Sequence, residues 1–168
     1  MTHPLQLTLD VACTRELAFH VWTRRISTWW PADHTVSGAP EAIVLEGRPG
    51  GRIYETGPDG THHDWGVVTL WDPPRALGYT WHLGTTPDKA TQVLITFQPT
   101  TALDGTGDTG ATRISIDHSG WDRWGSAADT GRERNLTGWE SLLPHYRHAL
   151  SEALGPPRHS VSHGDPTS

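Results

Sequence analysis

The sequence predicts an α+β domain: a curved antiparallel sheet of about seven strands wrapped around one long C-terminal helix, with two short helices after the first strand. Three observations predict it. Across residues 41–119, short alternating apolar runs are separated by tight turns rich in Gly, Pro and Asp, which makes consecutive strands neighbours in an antiparallel sheet. From Leu136 to Leu154 the apolar residues recur at steps of three and four, giving one continuous stripe on a helix. A lone amphipathic helix of that length must bury its stripe, and the sheet is the layer that can receive it.

Leu5, Leu7, Leu9 and Val11 alternate with Gln6, Thr8 and Asp10, the pattern of a half-buried strand. Thr14 is placed to cap a helix whose inner face carries Leu17, Ala18, Val21 and Trp22. Ile26, Trp29 and Trp30 make a second helical turn, and Pro31 stops it. Strands follow at residues 42–46, 52–56, 62–71, 75–83, 92–98 and 112–118. Pro49-Gly50-Gly51, Pro58-Asp59-Gly60 and Asp72-Pro73-Pro74 turn the chain between them. Residues 100–110 are polar and Gly-rich and read as a mobile loop. Thr130 and Glu133 match a capping box opening the long helix. Pro144 lies inside that helix, and because the stripe stays in phase beyond it, a kink is expected and not a stop. Gly155-Pro156-Pro157 ends the helix. The folded domain is therefore read over residues 1–155, with 156–168 as a disordered polar tail.

A chain of 168 residues suits one domain. Its net charge of −6, with no basic run, argues against a nucleic-acid binder. No apolar stretch is long enough to span a bilayer and no signal-peptide pattern opens the chain, so no membrane insertion and a cytoplasmic location are expected. The single cysteine, Cys13, excludes an internal disulfide and a multi-thiolate metal site. It lies beside the start of the first helix, where a thiolate is favoured, but with no His or acid tied to it by spacing it reads as a structural thiol. The Gly-rich run at residues 105–110 lacks the context of a phosphate cradle, and no cofactor motif is read.

Nine tryptophans against two phenylalanines and three tyrosines ask for an explanation, because each indole adds a large apolar face and an N–H donor. A curved sheet gripping one helix leaves space between the two layers, the usual place for a small-molecule pocket. Tyr79 and Trp81 share a face with Leu77 and Leu83 and offer a platform on which a planar ligand would stack; ordinary core is the alternative. Trp139, on the buried stripe, is a core anchor and a pocket wall. Trp121 and Trp124 lie in the linker before the long helix, and Trp30 precedes Pro31, positions suited to a cavity rim. His118 shares a face with Ile114 and Ile116, so a neutral imidazole there either meets a ligand or bonds to backbone. Tyr54 is a further polar group for orienting a ligand. His62 and Asp64 share a strand face while His63 points away, a set that reads as a solvated hairpin start, with no metal site. His145 and His148 read as a solvated helix face.

The order of elements and several segments together resemble a known family. The segments are Trp29-Trp30-Pro31, Gly50-Gly51-Arg52-Ile53-Tyr54-Glu55, the run from Gly66-Val67-Val68 through Trp71-Asp72-Pro73-Pro74-Arg75 to Tyr79-Thr80-Trp81, the run from Thr112 through Asp117-His118-Ser119-Gly120, and Gly138-Trp139. Over about residues 5–154 the chain resembles the helix-grip fold of the START and birch-pollen-allergen superfamily (SRPBCC), in its branch related to the activator of the heat-shock-protein ATPase. That resemblance implies the fold more strongly than the function, because the fold hosts lipid carriers, hormone receptors, polyketide cyclases, chaperone activators and antibiotic-resistance proteins. Some actinomycete resistance members bind enediyne natural products. For such a ligand the resemblance would make the Cα–H groups of Gly120 or Gly125 hydrogen donors.

The expectation from all of this is a non-catalytic binder of a hydrophobic, aromatic small molecule, as in self-resistance to a natural product. Trp30, Tyr54, Tyr79, Trp81, His118, Trp121, Trp124 and Trp139 are its binding residues. Two alternatives stand beside it. One is a polyketide cyclase using His118 and Tyr54 as acid–base groups. The other, suggested by the branch resemblance alone, is a module that binds a chaperone partner and stimulates its ATPase.

Overall fold

The computed structural model describes residues 2–100 and 110–155. Its elements in chain order are β1 (Leu5–Val11), α1 (Arg15–Thr23), α2 (Ile26–Trp29), β2 (Ala42–Leu45), β3 (Arg52–Thr56), β4 (His62–Asp72), β5 (Ala76–Trp81), β6 (Thr91–Thr100), β7 (Ala111–Ser119) and α3 (Ala128–Leu154). The seven strands form one antiparallel sheet in the order β1-β7-β6-β5-β4-β3-β2. Strands β2 to β7 are thus a meander in sequence order, and β1 closes onto the far edge, with Leu5 opposite His118 and Val11 opposite Thr112.

Period-two patterning sets the inner face. On β7, Ile114, Ile116 and His118 are buried; on β6, Val93, Ile95 and Phe97; on β5, Leu77, Tyr79 and Trp81. Removing each such apolar side chain from water contributes on the order of 1.5–3 kcal/mol before the entropy of ordering is charged against it. The alternation on β4 breaks at Gly66. The β3–β4 register shifts at Ile53/Tyr54, and a Cβ on Gly66 would lie 1.8 Å from the Thr80 carbonyl oxygen, so only glycine allows the strands to pass this closely.

The helices cover one face of the sheet. The Thr14 hydroxyl accepts the Leu17 N–H at 3.2 Å and caps α1, as its position predicts. From α1, Ala18, Phe19, Val21 and Trp22 enter the core. Tyr146 of α3 donates its buried hydroxyl to the Ala18 carbonyl at 2.7 Å and ties the two helices together. The α3 backbone stays helical through Pro144, whose ring sits on the exposed side. Beyond Leu154 the chain leaves the helix at Gly155 with φ +72°.

The start of α3 differs from the capping-box expectation. The chain leaves β7 through Gly120 (φ +88°), runs through 3-10 turns over Trp121–Ala127, and feeds directly into α3 at Ala128. Thr130 and Glu133 are already inside the helix, so the preceding turns, and not a side-chain cap, launch it. Strand β5 also ends at Trp81, short of the residue 83 expected. The expected mobile loop, over its residues 101–109, and the tail at 156–168 lie outside the described residues. Among the described residues no helix is long and apolar enough to cross a membrane.

Candidate functional site

Between the first half of α3, the segment after α2 and the end of β5 lies a hollow of about 730 Å³, open to solvent on one side. Trp30, Trp81 and Trp139 wall it, together with Leu83, Leu142 and Val36. The Trp30 and Trp81 ring centroids are 5.6 Å apart and tilted by 57°, so the two indoles form a corner and not a flat stack. Trp30 also leans on Trp65 (5.2 Å) and donates its indole N–H to the His34 carbonyl at 2.9 Å, which sets its ring against the rim.

Trp139 is fixed from behind. Its indole N–H donates to His118 Nδ1 at 3.1 Å, so Nδ1 is the acceptor nitrogen and Nε2 carries the proton. That N–H meets the Thr91 hydroxyl at 2.6 Å, and the hydroxyl donates onward to the Trp81 carbonyl at 3.2 Å. The chain Trp139–His118–Thr91–Trp81 links two cavity walls through three buried hydrogen bonds, with the His118 imidazole and the Thr91 hydroxyl between them. Burial pushes the His118 imidazole down to about 3, so the ring is neutral. Both nitrogens are engaged within the protein, which leaves His118 a brace and not a ligand contact.

The other rim is held by a buried carboxylate. Glu55 on β3 is fully buried and accepts from the Val36 N–H, the Ser37 N–H (3.4 Å), the Ser37 hydroxyl (2.9 Å) and the Trp65 indole (3.2 Å). Burial alone would raise its carboxyl pKa; the hydrogen bonds outweigh that and hold it below the ordinary value. Glu55 thereby pins the segment that carries Asp33, His34, Thr35 and Val36 to the hollow. In that segment His34 Nδ1 lies 2.7 Å from Asp33 Oδ1, and this bond holds the Asp33 carboxyl below its usual range.

Of the residues singled out in the sequence, Trp30, Trp81 and Trp139 line the hollow; the other five do not. Tyr54 alternates with the buried Ile53 and Glu55, stacks on His62 (4.6 Å) and lies under the Arg52 guanidinium (4.5 Å). Tyr79 is buried beside Trp81, and burial raises its phenol pKa strongly. Trp121 is buried against His118 (4.4 Å) and donates to the His118 carbonyl at 2.9 Å. Trp124 donates its N–H to the Lys89 carbonyl at 2.9 Å. The glycines of the hollow are Gly84 and Gly138, while Gly120 and Gly125 do not line it. Cys13 is buried, and burial pushes its thiol up to about 11, away from thiolate character. Asp64 pairs with Arg52 at 2.6 Å and not with a histidine. The polar rim residues Asp33, His34, Arg134 and Asn135 carry no signal in the sequence. The rim segment has no periodicity, and Arg134 and Asn135 look like an ordinary polar helix face.

The model of the family described as activator of Hsp90 ATPase homolog 1-like protein matches residues 12–146. The chain belongs to that family. A search of curated proteins gave no match. Among solved structures, this family member is similar to CalC from Micromonospora echinospora, described as a self-sacrificing resistance protein. The two share 25% identity at a TM-score of 0.67, over 90% of this chain and 96% of that one. It is also similar to an anthrahydroquino-gamma-pyrone synthase, with 28% identity and a TM-score of 0.61 over 88% of this chain and 97% of that one. Protein NE0264 from Nitrosomonas europaea, at 17% identity, a TM-score of 0.63 and coverage of 90% and 96%, shares the fold. The helix-grip architecture expected from the sequence is thus the architecture found.

Proposed function

We propose that this protein binds a hydrophobic, planar aromatic small molecule in the hollow and sequesters it without turnover, as in self-resistance to a natural product. The observation that carries the reading is the hollow itself: about 730 Å³, walled by three indoles, of which Trp30 and Trp139 are set in place by hydrogen bonds from their N–H groups and Trp81 by packing against Trp30, Trp65 and Tyr79. That volume falls in the range of small-molecule sites, and apolar walls with a few polar groups at the rim are their usual make-up. Preset indoles lose little conformational freedom on binding, which favours affinity from stacking and shape. Similarity to a resistance protein supports the reading.

A second reading, a cyclase acting on a polyketide, is favoured by one arrangement. His34 lines the hollow with Nδ1 bonded to Asp33, and its Nε2 makes no hydrogen bond among the described residues. A carboxylate-oriented imidazole facing a cavity is the geometry of a general base. Similarity to the anthrahydroquino-gamma-pyrone synthase points the same way. His118 and Tyr54, the acid–base pair expected from sequence, do not face the hollow, so His34 takes that role in this reading.

One experiment separates the two. Planar aromatic natural products are titrated while tryptophan fluorescence is followed, and each binder is then incubated with the protein and analysed by mass spectrometry. Saturable quenching with the ligand recovered intact supports sequestration. A product that forms with wild type and is lost in His34→Ala supports the cyclase. Absence of any binder, with co-purification of a chaperone, overturns both in favour of a protein-interaction role.

A further inference from the structure

The rim of the hollow carries a positioned cation that no acid among the described residues pairs with. Arg134 lines the hollow from α3, and its guanidinium carbon lies 5.7 Å from the centroid of the Trp124 ring. That ring is held in place. Its indole N–H is bonded to the Lys89 carbonyl, and Gly131 of α3 lies so close beneath it that a Cβ there would be 2.4 Å from Trp124 Cε3. Gly131 has no side chain, so Trp124 can seat, and the seated indole supports Arg134 three residues further along α3. On the opposite side, Gly84 (φ +77°) brings bare backbone towards the guanidinium, an ideal Cβ lying 3.8 Å from Nη2. Among the described residues Arg134 makes no ion pair. The one acid in the cavity lining, Asp33, sits on the other rim and is bonded to His34.

An arginine stacked on an indole keeps its planar N–H fork free for a carboxylate or phenolate, which it binds in two parallel hydrogen bonds. Resting on the reading of the hollow as a ligand site, we infer that the ligand carries an ionised acidic group that docks on Arg134 while its rings lie against Trp30, Trp81 and Trp139. Trp124, outside the hollow, is then a positioning residue for the cation and not a surface for the ligand.

The test uses two fluorescent dyes of nearly one skeleton: the anionic anilinonaphthalene sulfonate and the neutral N-phenylnaphthylamine. Both are titrated into wild type, Arg134→Gln and Arg134→Lys. The readout is the ratio of the two affinities, in which any general loss of fit cancels. Wild type is expected to prefer the anionic dye by about fivefold at low salt, since the pair is partly exposed. The preference is expected to shrink with added salt, to vanish in Arg134→Gln and to survive in part in Arg134→Lys. Binding of the neutral dye with no anionic preference in wild type, or a preference that persists in Arg134→Gln, overturns the inference and leaves the cavity reading intact. If neither dye binds, the cavity reading falls and takes the inference with it.

Discussion

Gly138 is the position at which the hollow can be closed with the least disturbance to the fold. It sits in mid-α3, lines the cavity, and an ideal Cβ there meets no atom within 4 Å. In a helix interior a glycine costs about 0.5–1 kcal/mol relative to alanine. With open space in front of the new methyl group, Gly138→Ala is expected to recover that amount. At this chain length 1 kcal/mol moves the melting temperature by about 2–4 °C, so the rise is roughly 1–4 °C. Gly138→Phe sends a ring into the same space beside Trp139. Denying a ligand about 60 Å² of wall costs about 1.5 kcal/mol at 25 cal/mol per Å², or roughly tenfold in affinity. Thermal unfolding by circular dichroism checks the first expectation, and titration with N-phenylnaphthylamine the second. A fall in melting temperature for Gly138→Ala would show that the methyl group meets neighbours. Wild-type affinity in a folded Gly138→Phe would place the binding site elsewhere.

Three further variants test the braces behind the cavity walls. Thr91→Val leaves the buried His118 N–H without an acceptor and is expected to cost about 1–3 kcal/mol in urea unfolding; a smaller effect would mean that the brace is slack. His118 has its folded pKa pushed down from 6.5 to about 3, so the unfolded state binds the extra proton between these values. Its stabilising effect is whole above the unfolded value and is lost as pH falls through that window, at up to about 1.4 kcal/mol per pH unit. A His118→Gln variant is expected to flatten that acid limb, and an unchanged slope would assign it to other groups. Glu55 has its folded pKa depressed, so its contribution is present above the ordinary carboxyl value of 4.5 and disappears at lower pH. Glu55→Ala strands the Val36 and Ser37 N–H groups and the Trp65 indole, with an expected cost of at least about 2 kcal/mol. Limited proteolysis is expected to cut first within residues 31–40, and resistance equal to wild type would refute the pinning role.

The apolar pattern made most of the fold legible. Alternation on β1, β5 and β7 and the stripe on α3 are read directly from spacing, because burial on one face of a regular element imposes a period. The same rule puts His118 on the inner face, where it is buried. Its role was not legible, since Thr91 and Trp139 approach it from other elements at separations of 27 and 21 residues. Tyr54 could have been excluded by the same alternation, which puts it opposite Ile53 and sets Glu55 on the inner side. A carboxylate on a strand reads as solvated until the loop that brings it donors is known. The rim segment, Arg134 and the Gly131–Trp124 seat depend on tertiary proximity alone. The Thr130–Glu133 pattern failed for a different reason: an upstream turn had already begun the helix.

The pairing of β1 with β7 sets the order in which the molecule can be completed. Leu5 must meet His118, so the first strand made is among the last to be secured. During synthesis the amino-terminal segment waits, its partner unmade, while the meander from β2 onwards assembles by local steps. Until it docks, β7 presents a bare row of N–H and C=O groups beside an unfinished cavity. The far edge of the sheet is therefore secured late, and loss of the first few residues would unzip it while leaving the indole walls in sequence untouched.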